Sequence, residues 1–161
     1  MATLTVTITE SLPDYNGADN DLTLTNSLAI TGVDDIYHRI ITVPSGGDTT
    51  LANFHAAVST SVSSLDTENV KYIRVTNLDG SNPVNLSLQV DVGEDDSAAD
   101  GSTTILLEAG KSFIMGSPSD GITLDDDAAT LRDTLNNLES IIADSLSAAV
   151  KVEVFIASVV A

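Results

Sequence analysis

The chain of 161 residues has no cysteine, no tryptophan, four prolines and only six basic residues. Without cysteine there are no disulfides, no thiolate nucleophile and no cysteine-ligated zinc, and the composition fits synthesis in a reducing cytoplasm. With three tyrosines and three phenylalanines as the whole aromatic content, a sugar site would lack the rings such sites lean on. Tyr15 is the one aromatic in an expected loop. Six Lys and Arg stand against 24 Asp and Glu, a formal net charge of −18. Duplex binding needs several cations to displace phosphate counterions, and Arg39, Lys71, Arg74, Lys111, Arg132 and Lys151 are scattered. Nucleic acid and anionic membranes are therefore disfavoured as partners. No apolar run approaches the ~20 residues of a membrane span. No basic segment followed by an apolar stretch opens the chain, so no secretory signal is read.

Catalytic patterns are missing too. His38 and His55 have no HExxH or HxH context. No Gly-x-Ser-x-Gly elbow occurs, and Gly116-Ser117-Pro118-Ser119 reads as a turn. Gly46-Gly47 is followed by Asp48, which repels phosphate. The chain is read as non-enzymatic and without a cofactor.

What the chain does have is alternation. Thr3-Leu4-Thr5-Val6-Thr7-Ile8-Thr9 and Val150-Lys151-Val152-Glu153-Val154-Phe155-Ile156 both switch face at every residue, the period of a half-buried strand. Leu22, Leu24, Leu28 and Ile30 predict a second strand, Thr31–Asp35 a turn, and Ile36–Val43 a third strand. Leu51, Phe54 and Val58 are spaced three and four apart, so Thr49–Val58 reads either as one or two helical turns or as a bulged strand. Ser59–Asn69 reads as a loop. Val70–Thr76 and Val84–Val92 predict a hairpin, with Val84, Leu86, Leu88, Val90 and Val92 inward and Asn85, Ser87, Gln89 and Asp91 outward. Thr103–Leu107 and Ser112–Met115 flank a four-residue turn whose Gly110 suits positive φ. Leu124, Ala128, Leu131, Leu135, Leu138 and Ile142 step by four and three. Asp125–Asp127 could cap a short helix over 126–137. Leu138–Ala143 continues it or forms a strand, with Ile141-Ile142 favouring strand. Phe113 and Phe155 are expected in the core.

With 42% hydrophobic residues and eight or nine short strands, the expectation is all-β: one antiparallel two-sheet β-sandwich domain over 1–161, jelly-roll-like. Three acidic clusters could supply Ca²⁺ with oxygen ligands: Asp14, Asn16, Asp19 and Asp21; Asp91, Glu94, Asp95, Asp96 and Asp100; and Asp125–Asp127. None fits an EF-hand loop, and a solvated loop is the plain reading. The Asp91–Asp100 stretch is the candidate home for a structural Ca²⁺. The tail Ala157-Ser158-Val159-Val160-Ala161 is apolar to its last residue. It reads as an extended final strand or as a surface buried against another subunit, which makes Phe155, Ala157, Val159, Val160 and Ala161 candidate interface residues.

Three stretches together carry a resemblance. They are Lys71-Tyr72-Ile73-Arg74-Val75-Thr76-Asn77-Leu78-Asp79 with Val84-Asn85-Leu86-Ser87-Leu88; Ile105-Leu106-Leu107-Glu108-Ala109-Gly110-Lys111-Ser112-Phe113-Ile114-Met115; and Ala148–Ser158. The succession resembles small virion structural proteins of tailed bacteriophages, particularly marine phages. The resemblance implies a capsid decoration (cement) protein, made in the host cytoplasm and resident on the virion. Its partner would be the outside of the major capsid protein lattice, and it would form a homo-oligomer, with a trimer favoured. A tail or neck structural protein and a receptor-binding or fibre-associated module are the alternatives.

Overall fold

A computed structural model describes residues 1–14, 21–55, 64–91, 101–124 and 133–159. These hold ten strands: β1 (Ala2–Leu12), β2 (Leu22–Val43), β3 (Asp48–His55), β4 (Ser64–Asp66), β5 (Val70–Asn77), β6 (Val84–Asp91), β7 (Gly101–Leu107), β8 (Ser112–Met115), β9 (Asn137–Ser145) and β10 (Val150–Val159). They form two five-stranded sheets. The front sheet runs β1-β2-β10-β5-β8 and the back sheet β4-β3-β9-β6-β7. Only β3 and β4 pair in parallel. Among the antiparallel pairs, four are nested in sequence: β6 with β7, β5 with β8, β3 with β9, and β2 with β10. Successive pairs fall in alternate sheets, so one folded ribbon builds both layers.

The core lies between the layers, and among the described residues its fully enclosed members are aliphatic except for Phe54, with Tyr37 and Phe113 packed at its margin. Val84, Leu86, Leu88 and Val90 of β6 and Val150, Val152, Val154 and Ile156 of β10 alternate inward and are buried, as their period predicts. All-β architecture in two packed sheets therefore follows the sequence reading.

Several local expectations are corrected. The stretch read as a hairpin and the four-residue turn after β7 are both crossings between sheets. β5 pairs with β10 and β8 whereas β6 pairs with β9 and β7, and β7 and β8 likewise belong to different sheets. Alternation fixes which face is oily but not which neighbour a strand takes, and β5 and β6 bury their oily faces in one core from opposite sheets. Gly110 does adopt a positive φ of 71°. Thr31–Asp35 is not a turn, because β2 runs unbroken through it. Two extra residues sit there instead: Gly32 opposite β1 and Asp34 opposite β10. Such bulges bend and twist a strand without ending it, and Gly32 at φ +79° adopts the left-handed backbone that glycine tolerates. Of the expected helix, residues 126–132 lie outside the described residues and 133–137 are not helical. The Asn136 N–H donates to Ile122 O at 2.7 Å, and Asn137 opens β9. The backbone there is spent on a cross-chain bridge rather than on a residue four earlier.

Thr49–Val58 resolves to strand as far as His55, with 56–58 outside the described residues. Within the expected loop 59–69, Ser64–Asp66 forms β4. Asp91, expected outward-facing, is buried at the end of β6, although β6 itself carries no extra residue and the one at the Gln89/Val90 shift lies on β9. Phe155 lies half-buried on the outer face of the front sheet, while Phe113 packs partly against the core.

Candidate interaction face on the front sheet

The first half of β2 pairs with β1 and the second half with β10. The β1–β2 hairpin is thus a two-stranded arm, and Gly32 and Asp34 mark its base. Its cross-strand pairs sort side chains cleanly. Leu4–Ile30, Val6–Leu28 and Leu12–Leu22 share one face. Thr5–Ala29, Thr7–Ser27 and Thr9–Thr25 share the other, and there Thr7 Oγ1 and Ser27 Oγ hydrogen-bond at 3.0 Å. The oily face turns toward the outer surface of the front sheet. At the base, Leu4, Val6 and Ile30 pack on a small cluster of Val33, Tyr72 and Ala157, with Phe155 and Val159 beside it. Further out the arm and sheet part. A cleft of about 260 Å³ opens between Val6, Ile8 and Leu28 of the arm and Tyr72 and Ile114 of the sheet. Toward the tip the oily face is uncovered: Ile8, Leu12, Leu22, Leu24 and Leu28 are 40–54% exposed. Five large aliphatic side chains half in water share this face, with Asn26 opposite Ile8 and Glu10 opposite Leu24 set among them, a concentration of exposed apolar surface rather than single scattered residues.

This arm is also nearly free of charge. Residues 2–12 and 22–33 carry a single charged side chain, Glu10, in a chain with 24 acidic residues.

Beside the arm's footing lies a polar cluster that no motif announces. Register places Phe155 between His38 and Arg74 on neighbouring strands, with Glu153 two residues away on the same face. His38 Nε2 is 2.9 Å from Glu153 Oε1, and Arg74 Nη2 donates to Glu153 Oε2 at 2.5 Å. The Arg74 guanidinium stands 5.7 Å from the Phe155 ring centre, and Tyr72 meets that ring edge-on at 6.2 Å. The His38 hydrogen bond, followed by the field of Arg74, holds the Glu153 carboxyl below its ordinary value of 4.5 against an opposing contribution from burial.

A carboxylate with a lowered folded pKa adds stability that is fully present above its unfolded value. That stability is lost as pH falls through the folded one. We therefore expect Glu153→Gln to melt about 1–3 °C below the parent at neutral pH, the scale of a partly exposed ion pair. The gap should close as pH drops below about 4.5. Melting curves from pH 3 to 7 check it, and a gap that stays constant across that range contradicts the assignment.

The outer face of the back sheet offers a second, polar recess of about 260 Å³ lined by Asp48, Asn85, Ser87, Gln89, Thr104 and Asp144. Asp48 and Asp144 are direct cross-strand partners there. No group of three or more potential metal ligands occurs among the described residues.

Of the candidate Ca²⁺ ligands, Asp91 ends β6 and is buried; Glu94, Asp95, Asp96 and Asp100 lie outside the described residues. Of the candidate interface residues, Phe155, Ala157 and Val159 come together under the arm, where Ala157 is fully buried by its own chain. Val160 and Ala161 lie outside the described residues. The arm's exposed oily face was written in the sequence as alternation, yet alternation cannot tell a core-facing strand from a projecting one. His38, Arg74 and Glu153 carried no signal, since 115 residues separate the first from the last.

No protein-family model and no curated protein matches this sequence. Among solved structures the chain is similar to one from Bacillus endospore appendages, described as a novel family of disulfide-linked pili. The likeness has 11% identity and a TM-score of 0.35 over 78% of this chain and 89% of that one. At that level it assigns neither fold nor function.

Proposed function

We propose that this chain is a non-enzymatic structural protein of a tailed-phage virion, a capsid decoration protein that binds the outside of the major capsid protein lattice. The observation that carries the reading is the half-exposed aliphatic arm, with Glu10 as its single charge, on an otherwise strongly acidic sandwich. Such an arm is a contact surface, while the acidic remainder keeps particles apart and off packaged DNA. The resemblance in β5–β6, β7–β8 and β10 supplies the virion and favours a trimer. Repetition over a lattice turns many modest contacts into firm attachment.

The strand order supports reading the sandwich as a jelly roll. With β1 and β4 set aside, the sheets run β2-β10-β5-β8 and β3-β9-β6-β7. That is the arrangement of a single antiparallel ribbon wrapped into two layers, a form shared by many capsid domains.

Copy number tests the function. Gel densitometry of purified virions should return hundreds of copies per particle. A few dozen or fewer ends the decoration reading and moves the chain to a tail, neck or fibre position, and absence from virions ends the structural reading altogether.

A further inference from the structure

We propose that β1 is a self-pairing edge: a second copy of this chain lays its own β1 antiparallel along the free edge of this one, joining two front sheets across a two-fold axis. β1 ends the front sheet, and among the described residues its outer edge meets no strand. Natural sheets blunt such edges with lysine, proline, bulges or short strands. Here the edge is 11 residues long, with no Lys, Arg, Pro or Gly, and its register against β2 is unbroken from Thr3 to Leu12.

The choice of a second copy rests on pattern and charge. Antiparallel pairing of a strand with itself is self-complementary, as a two-fold contact requires. Centred on Val6, it sets Leu4 against Ile8, Thr5 against Thr7 and Thr3 against Thr9. Aliphatic then meets aliphatic, hydroxyl meets hydroxyl, and both faces of the arm continue across the axis. Two copies of net charge −18 repel along most approaches, and the arm is the stretch where they can touch without juxtaposing carboxylates. In this register each Glu10 faces the partner's Ala2, so the two Glu10 residues stand eight positions apart, ~27 Å, well beyond the screening length of ~8 Å. The oily patch doubles from two strands to four. A contact of roughly nine residues along one edge is small beside the ~800 Å² per partner of a standard interface, so the dimer is reversible and concentration-dependent. The inference does not rest on the virion reading, since the pairing belongs to the isolated chain.

Sedimentation of the purified protein from micromolar to millimolar concentration tests it. The mass should rise from that of one chain, 16.7 kDa, toward twice that value, or from three chains toward six where the trimer of the virion reading forms; a mass that stops at three chains overturns the pairing. The double variant Thr5→Glu with Thr7→Glu sets carboxylates directly opposite and should weaken association at least roughly tenfold while keeping the parent's strand spectrum. Because the chain has no cysteine, Thr5→Cys can be joined across the axis by a short bis-maleimide, the diagonal neighbours lying about 7–8 Å apart. It should couple many times faster than Thr104→Cys on β7, the exposed edge of the other sheet. A mass that stays at one chain throughout overturns the inference and leaves the edge to a different partner. So does association unchanged by the glutamates in a folded variant, or equal coupling at both cysteines.

Discussion

Replacing Phe54 by alanine should lower the stability of the fold by about 3–5 kcal/mol, the range for removing a large buried ring and leaving a cavity. For a chain of this size that is a fall of roughly 8–16 °C in melting temperature. Phe54 is 1% exposed and is the largest of the fully buried side chains. It sits on β3 directly opposite Leu65 of the short parallel strand β4, in one cluster with Leu51 and Ile141. Close-packed interiors relax only in part around such a loss. Leu106 makes the contrast: it is 53% exposed on β7, and Leu106→Ala should cost under about 1 kcal/mol. Equilibrium unfolding in urea measures both. A Phe54→Ala cost no larger than that of Leu106→Ala would mean that the sheets do not close over this ring.

Phe54 also marks where the sequence could and could not be read. Its spacing from Leu51 is three, which suits a helical turn as well as a bulged strand. In the fold, Leu51 is an extra residue between Thr50, opposite Ile142, and Ala52, opposite Ile141. A bulge adds one residue to the period of two, so two side chains three apart both point inward. The same device explains Leu138 and Ile141. Val90 faces Leu138 while Gln89 faces Ser140, leaving Glu139 as the added residue and making a strand look helical. Where strands are free of bulges, as in most of β6 and β10, alternation gave the buried face residue by residue.

Pairing was not legible in the same way. Period two says which face is oily, but β5 and β6 obey it equally well as a hairpin or as opposite walls of the core. The candidate face divides along the same line. Its oily arm was visible as pattern, its outward position was not, and the His38–Glu153–Arg74 cluster exists only because three distant strands come into register.

Asn77 ties the end of β5 to the β5–β6 crossing and to the end of β7, and changing it should be nearly as damaging as changing Phe54. It closes β5 and is fully buried, although the sequence suggested no more than the start of a loop. Its side-chain amide donates to Asn82 O at 2.9 Å and to Leu107 O at 3.1 Å. Its Oδ1 accepts the Asp79 N–H at 2.9 Å, and its own N–H donates to Lys111 O at 2.9 Å. One side chain thereby fixes the crossing from β5 to β6 and joins it to the end of β7. The crossing is braced further by Asp79, whose carboxylate accepts the N–H groups of Asn82 and Ser81; those two bonds, Asn82 first, hold its carboxyl below the ordinary value.

Asn77→Ala strands the buried Leu107 carbonyl, the part-buried Asn82 carbonyl and the Asp79 N–H and should cost about 2–4 kcal/mol. Asn77→Asp keeps the shape and the accepting oxygen, but it turns a negative oxygen toward two carbonyls in a buried site, and it should cost more than alanine at neutral pH. Burial and the facing carbonyls raise the folded pKa of the introduced carboxyl above the unfolded value of about 3.9. The folded state then binds the extra proton, so this variant loses stability relative to the parent as pH rises through about 3.9 toward that raised value, and regains it on acidification. Urea midpoints of parent, Asn77→Ala and Asn77→Asp at several pH values between 3 and 7 resolve the matter. A deficit for the aspartate that does not shrink below about pH 4 would mean that the side chain at this position reaches water and does not clamp the crossing.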